Sequence, residues 1–268
     1  MPRCADTTCG RWRPERLAPR WAMGLRFNGD WYCSRVCVQH AARHVLDADV
    51  PTSPRVGGLP PMRLGVLLRH LGGLSEATVA DALDAQARTG RRIGEELASR
   101  GLVERDIVLR ALAAQAGTSY LTALDLSRVR SGPSWLGPGT VRALGLVPFE
   151  VLERRRQLRV VCTAPVPRAS LRALARLTGW TAEPYLVHED VFAAALDAYR
   201  PAPLAGTDVR EAVRLPDLSA AAARIADAAA EVRTITARHA SCSDCTWVRV
   251  EGPHHLSDML VDGAGEAR

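Results

Sequence analysis

The chain has 268 residues, 47% of them apolar, with a net charge of +6 and a pI near 9.2. That length holds one large domain or two to three small ones, and the apolar share allows real cores. All 35 basic residues are arginine, which excludes a phosphate-binding Gly-Lys-Ser/Thr loop and Schiff-base chemistry on a lysine amine. No apolar run approaches the roughly 20 residues that span a bilayer. No signal-peptide core follows Met1, so a cytoplasmic protein is expected. The basic balance suits nucleic acid, anionic lipid or a phosphorylated small molecule, and equally a mild arginine surplus over the surface.

Residues 1–48 carry Cys4, Cys9, Cys33 and Cys37, spaced C-x4-C, 23 residues, C-x3-C. In a chain without an export signal, paired cysteines read as a metal site before disulfides. Gly10 follows Cys9, as where a backbone knuckle wraps a metal. Leu25 to Tyr32 reads as two short strands about Asn28-Gly29, a strong two-residue hairpin signal. Cys33 to Leu46 has helical character, with Cys33 and Cys37 on one face of its first turn. Knuckle, hairpin and helix together resemble a treble-clef zinc finger, with Trp12, Trp31 and Tyr32 as its small core. Four thiolates close a tetrahedral site, so the Zn2+ would be structural, and so short a segment needs such a staple. His40 and His44 are read as surface residues.

Residues 49–62 form a linker: Pro51, Pro54, Gly57-Gly58 and Pro60-Pro61 forbid regular structure. The next stretch says one thing twice. Arg63-Leu64-Gly65, Gly72, Leu83 and Gln86 recur 29 residues later as Arg92-Ile93-Gly94, Gly101, Leu112 and Gln115. A repeat of that length holds one helix–turn–helix unit, which needs its neighbour to bury its apolar side. Leu64, Leu67, Leu68 and Leu71 make a helical stripe ended by Gly72-Gly73. Ser75 is a plausible N-cap for the next helix, with Glu76 in its first turn. Ile93 and Leu97 lead to Gly101 in copy two, and Ile107, Val108, Ala111, Leu112 and Gln115 follow before Gly117. Gly65 and Gly94 cost about 1 kcal/mol each relative to alanine if helical, and close approach of a ligand to backbone is one reason to keep them. Arg63 and Arg92 stand at helix N-termini, where amides and guanidinium suit an anion.

The pattern Arg-Leu-Gly-x2-Leu-x4-Gly…Leu-x2-Gln, twice with five residues between, resembles the MshEN domain, the N-terminal module of type II secretion and type IV pilus assembly ATPases. The resemblance implies binding of cyclic di-GMP, one repeat per half of that two-fold ligand. It implies that Arg63, Gly65, Gly72, Gln86, Arg92, Gly94, Gly101 and Gln115 line the site. It also implies that Leu64, Leu67, Leu83, Ile93, Leu97 and Leu112 pack on the bases. Residues 63–125 would be the helical repeats and 126–200 the α/β part. Within that part, strands are expected at Gln157–Cys162 and Ala182–Val187, and helices at Gly139–Leu144, Ser170–Thr178 and Glu189–Tyr199. One departure stands out: Ala164, in Cys162-Thr163-Ala164-Pro165, occupies the place of a family aspartate that can contact ligand.

Residues 201–216 read as a linker and 217–268 as a C-terminal module of unknown type. That module has an alanine-rich helix, Leu218 to Val232, and a hairpin of Thr234–Arg238 and Thr246–Val250. The hairpin flanks Cys242-Ser243-Asp244-Cys245, a pair that fits half of a second zinc site with His254 and His255, a redox pair, or two free thiols in a turn. Asp262 to Arg268 is expected to be disordered. The whole reads as an α+β multidomain protein: a small zinc finger, a helical tandem repeat with an α/β subdomain, and a small α+β module. The expected function is a non-catalytic cyclic-di-GMP-binding signalling or adaptor protein with a protein partner. Too few residues follow Tyr199 for an ATPase. The alternatives are a nucleotide-independent docking protein of a secretion or pilus system, and a zinc-finger DNA-binding regulator.

Overall fold

The computed structural model describes residues 3–11, 24–48, 62–129 and 132–262. Trp12, residues 49–61 of the expected linker and residues 263–268 of the expected tail lie outside them. The N-terminal hairpin is β1 (Leu25–Phe27) and β2 (Asp30–Tyr32), followed by α1 (Arg35–Ala48). Asn28 and Gly29 both take positive φ, 50° and 91°. Those are the dihedral signs that a two-residue turn matched to strand twist requires.

The repeats form α2 (Leu64–Gly72), α3 (Glu76–Thr89), α4 (Ile93–Ser99) and α5 (Arg105–Ala116). The Ser75 side chain accepts from the Thr78 N–H at 3.1 Å, and Gly73, Gly90 and Gly117 end α2, α3 and α5 in the left-handed region. The two copies interlock, since α2 packs mainly on α5 and α3 mainly on α4. Each copy thus buries its stripe against the other. Leu68, Val79, Ala82, Ile93, Leu97, Val103 and Ala111 form that core. Each fully buried leucine there contributes about 2–3 kcal/mol by leaving water.

The α/β part contains β3 (Ser119–Tyr120), α6 (Leu126–Val129), α7 (Pro138–Leu144), β4 (Val147–Leu152), β5 (Gln157–Cys162), α8 (Arg168–Thr178), β6 (Thr181–Leu186) and α9 (Glu189–Ala198). Its sheet has the order β3-β6-β5-β4, with β6 parallel to both β3 and β5 and β4 antiparallel to β5. Strand β5 is buried along Leu158, Val160, Val161 and Cys162, as a strand covered on both faces must be. Burial pushes the Cys162 thiol up to about 12, which makes it a small inert hydrophobe.

The remaining elements are β7 (Asp208–Leu215), α10 (Leu218–Val232), β8 (Thr234–Ser241), β9 (Cys245–Gly252) and β10 (His255–Asp262). Their four strands are contiguous in a larger sheet. The second sheet runs β2-β1-β8-β9-β10-β7, so the N-terminal hairpin joins the C-terminal strands. Strand β1 lies parallel to β8, with Arg26 N–H donating to the Arg233 carbonyl at 2.8 Å and Asn28 N–H to Ile235 at 3.1 Å. The Asn28 side chain accepts from the Ala237 N–H at 2.8 Å. Helix α1 packs along α10, and Phe27, Trp31, Val38 and Leu46 share one core with Ala222, Ile225, Ala226 and Val248. The segments read as separate modules, 1–48 and 217–268, therefore share a sheet and a core. Asp208–Leu215, inside the stretch read as a linker, is an edge strand.

Side-chain alternation splits this sheet between two cores. Val248, Val250, Met259 and Val261 face α1 and α10, whereas Ala240, Trp247 and Leu260 face the α/β part. On the latter side Arg249 and Asp258 are both buried and joined by two bonds of 2.9 Å, from Nε to Oδ1 and from Nη2 to Oδ2. Asp258 also accepts from Trp247 Nε1 at 2.9 Å and from Thr140 Oγ1 of α7 at 2.8 Å. Arg249 donates to the Trp135 carbonyl at 3.0 Å and lies over the Trp135 and Trp247 rings. A buried pair is tolerable only when so fully bonded. This one clamps the C-terminal sheet to α7 and its approach.

Candidate functional site

A cavity of about 440 Å³ lies between the second repeat and the α/β part. Its repeat wall comes from Arg92, Gly94, Glu95 and Ala98 of the α4 region and from Arg105, Val108, Leu109 and Leu112 of α5, with Leu64 of α2 at one side. Its opposite wall is Thr163 after β5 and Val187, His188 and Glu189 at the start of α9. The floor is apolar, and the rim carries both signs of charge.

Two polar contacts hold the walls together. His188 Nε2 lies 2.7 Å from Asp106 Oδ1, and Arg105 Nη2 lies 3.3 Å from Asp190 Oδ1. The first turns of α5 and α9 therefore face each other across the cleft. The Asp190 carboxyl is held below its ordinary value by its own backbone N–H at the helix start, and next by the Arg105 charge.

The doubled motif maps onto this cleft in part. Leu64, Arg92, Gly94 and Leu112 line it. Arg63 and Arg92 are equivalent N-caps of α2 and α4, both extended and both exposed. Arg63, Gly65, Leu67, Gly72, Gln86, Gly101 and Gln115 do not line the cavity. Gln115 donates to the Met62 carbonyl at 2.8 Å, tying the end of copy two to the approach of copy one. Leu97 is fully enclosed in the repeat core and Ile93 nearly so, whereas Leu83 is 50% exposed.

The two helical glycines have a reason besides a ligand. A Cβ on Gly65 would sit 3.1 Å from Val79 Cγ1, and one on Gly94 would sit 2.5 Å from Val108 Cγ1. Val79 and Val108 are themselves equivalent, so each repeat keeps a glycine where its own second helix crosses closely. Gly72 and Gly101 differ in role, since Gly72 is the last residue of α2 whereas Gly101 follows the shorter α4 at φ 67°.

Sequence reasoning did not assign Arg105, His188 or Glu189 to the site. Arg105 opens the second helix of copy two, ahead of the motif landmarks Leu112 and Gln115, and His188 and Glu189 stand at the start of α9 in the α/β part. Of the Cys162–Pro165 stretch, Thr163 lines the cleft and Ala164 does not.

The second site is at the N-terminus. The sulfurs of Cys4, Cys9, Cys33 and Cys37 all lie within 4.8 Å of one another. Cys9 and Cys33 are 3.4 Å apart and Cys33 and Cys37 3.7 Å, far beyond the ~2.0 Å of a disulfide. A tetrahedral ion with metal–sulfur bonds of ~2.3 Å sets its sulfurs about 3.8 Å apart, so the donor set fits such an ion. Cys33 N–H donates to Cys4 Sγ at 3.5 Å and Ser34 Oγ to Cys37 Sγ at 3.4 Å, contacts that steady anionic sulfur. His40 is exposed and stays outside the sulfur cluster, its Nδ1 3.3 Å from the buried Asp6 carboxylate. Two arginines of α1 are engaged with α10: Arg35 pairs with Asp227 at 2.6 Å, and Arg43 donates to Ser219 at 2.7 Å.

No protein-family model matches the chain. The type IV pilus assembly ATPase PilB of Thermus thermophilus is 27% identical over 142 residues, which is 52% of this chain and 16% of that protein. The chain thus spans about a sixth of the curated relative's length. Among solved structures, MshE with cdg (cyclic di-GMP) is 29% identical, covering 52% of this chain and 99% of that one, at a TM-score of 0.42. The N-terminal domain of XpsE is 17% identical, covering 52% and 94%, at a TM-score of 0.36. The doubled motif and the PilB similarity define an MshEN-like domain in this chain, beside a four-cysteine cluster able to hold a metal ion. Among the described residues no helix is long and apolar enough to cross a membrane.

Proposed function

We propose that the chain is a non-catalytic, cyclic-di-GMP-binding signalling or adaptor protein that works in the cytoplasm, with a structural zinc in its N-terminal finger. The observation that carries this reading is the cleft, whose lining includes Leu64, Arg92, Gly94 and Leu112 from the doubled motif. Its volume lies within the ~300–1,000 Å³ usual for small-ligand sites. Leu64, Val108 and Leu112 offer a base an apolar floor. Arg92 and Arg105 suit phosphate oxygens or the O6/N7 edge of guanine. Glu189 and Glu95 suit the amide and amine donors of the same base, work that Ala164 does not do. A ligand there touches both the repeats and the α9 loop, so it would bias how these two parts sit, provided its affinity for the two arrangements differs. The PilB likeness is the ground for placing the chain in a pilus-assembly context.

A docking protein that needs no nucleotide is the second reading. It is favoured by Gly65 and Gly94, whose conservation of type between the copies is accounted for by the close valines. A DNA-reading finger has less support, because α1 lies along α10. Calorimetric titration of the full chain with cyclic di-GMP separates the readings. Saturable heat that weakens at least about tenfold in Arg92→Ala, the loss of one charge-assisted contact, is the expected result. Wild-type protein that gives no heat overturns the nucleotide reading and leaves the docking one.

A further inference from the structure

The Cys242-Ser243-Asp244-Cys245 tip of the β8–β9 hairpin has no part in the reading above. Ser241 and Thr246 are the last registered pair of that hairpin, and beyond them Cys242 N–H donates to the Cys245 carbonyl at 2.8 Å. The two cysteines therefore face each other across a two-residue turn. Opposed positions hold their Cβ atoms about 4.5–5.5 Å apart, and a disulfide needs about 3.5–4.5 Å. A small closing of the turn joins them.

The surroundings make the two sulfurs unequal. The Cys245 thiol, the Ser170 hydroxyl in the first turn of α8 and the Trp247 backbone N–H all act on Cys242 in the direction of its thiolate. Donors converging on one sulfur favour its thiolate, led here by the Cys245 thiol, against the opposing effects of burial and Asp244. Cys245 is pushed the other way, because it is the donor to Cys242 and is itself desolvated. Both residues keep part of their surface exposed. Among the described residues the metal-ligand cluster is Cys4, Cys9, Cys33 and Cys37, so this pair stands apart as a dithiol.

We propose that Cys242 and Cys245 are a redox-active dithiol, with Cys242 the attacking sulfur and a low-molecular-weight disulfide as oxidant. The Cys242 thiolate attacks one sulfur of the oxidant, forming a mixed disulfide and releasing one thiolate. Cys245 then loses its proton and attacks the Cys242 sulfur, forming the intrachain disulfide and releasing the second thiolate. The two protons given up by the cysteines end on the two leaving thiolates. One external disulfide is reduced to two thiols and one dithiol is oxidised.

The test uses the full chain treated with oxidised glutathione, then alkylated and mapped by peptide mass. Wild type is expected to carry the Cys242–Cys245 disulfide. Cys245→Ser is expected to hold glutathione on Cys242, and Cys242→Ser to form neither species. In untreated wild type at neutral pH, iodoacetamide should label Cys242 at least about tenfold faster than Cys245; this measurement needs no variant to fold. Equal labelling rates, or both thiols still free after oxidant, would overturn the proposal. Glutathione trapped on Cys245 in Cys242→Ser would overturn the assignment of the attacking sulfur.

Discussion

Gly94→Ala separates packing from ligand contact as the reason for the repeated glycine. The new Cβ would lie 2.5 Å from Val108 Cγ1, roughly 1 Å inside ordinary van der Waals contact. Forcing a methyl into a packed site costs about 1–3 kcal/mol. Alanine recovers about 1 kcal/mol of helix propensity, so the net expectation is a loss of about 1 kcal/mol. Gly65→Ala meets Val79 at the milder distance of 3.1 Å and should be near neutral. Val108→Ala removes the clashing methyls, so the Gly94→Ala/Val108→Ala cycle should show a coupling of about 0.5–3 kcal/mol. Urea unfolding with fixed m-values measures all four proteins. A Gly94→Ala chain as stable as wild type, with no coupling to Val108, would refute the packing account and return the glycine to the ligand.

Asp258→Ala leaves the buried Arg249 without its counter-charge and should cost about 3–5 kcal/mol, read as a lowered urea midpoint; a change under about 1 kcal/mol would contradict the clamp. Chelation should loosen more than the finger, because β1 pairs with β8 and α1 shares a core with α10. Hydrogen exchange should therefore rise in 234–241 and 218–232 as well as in 25–48, and a rise confined to 25–48 would refute the shared unit. Acid should weaken the fold through Asp190 and Glu231, both held below their ordinary values, Asp190 first by its own helix-start N–H and Glu231 by Arg210. Their contribution is present above the unfolded carboxylate values of about 3.9–4.3 and is lost as pH falls through the lower folded ones. Asp190→Asn should flatten part of that loss in thermal melts between pH 5 and 3, and an unchanged slope would count against the helix-start and Arg105 contacts of Asp190.

Local chemistry made much of the fold legible. Asn28-Gly29 named its hairpin because few other residues take two positive φ angles in a row. Gln157–Cys162 announced β5 as a short apolar run, and the 29-residue displacement exposed α2 to α5 before any contact was known. What stayed hidden depends on distant partners. Nothing near Leu25–Phe27 tells that it will pair with Thr234–Ser241, because the pairing joins the two ends of the chain. Asp208–Leu215 alternates weakly and carries four charged residues, so it passed for a linker until β10 supplied its ladder. The cleft was half legible: the motif marked Arg92, Gly94 and Leu112, but its far wall, His188 and Glu189, meets them only through the His188–Asp106 and Arg105–Asp190 contacts.

A crystal structure of the full chain with cyclic di-GMP tests the central claim most directly. The account predicts nucleotide density in the cleft, with a guanidinium contact from Arg92 and a base over Leu112. Density elsewhere on the chain, or a cleft that stays empty at saturating nucleotide, would contradict it.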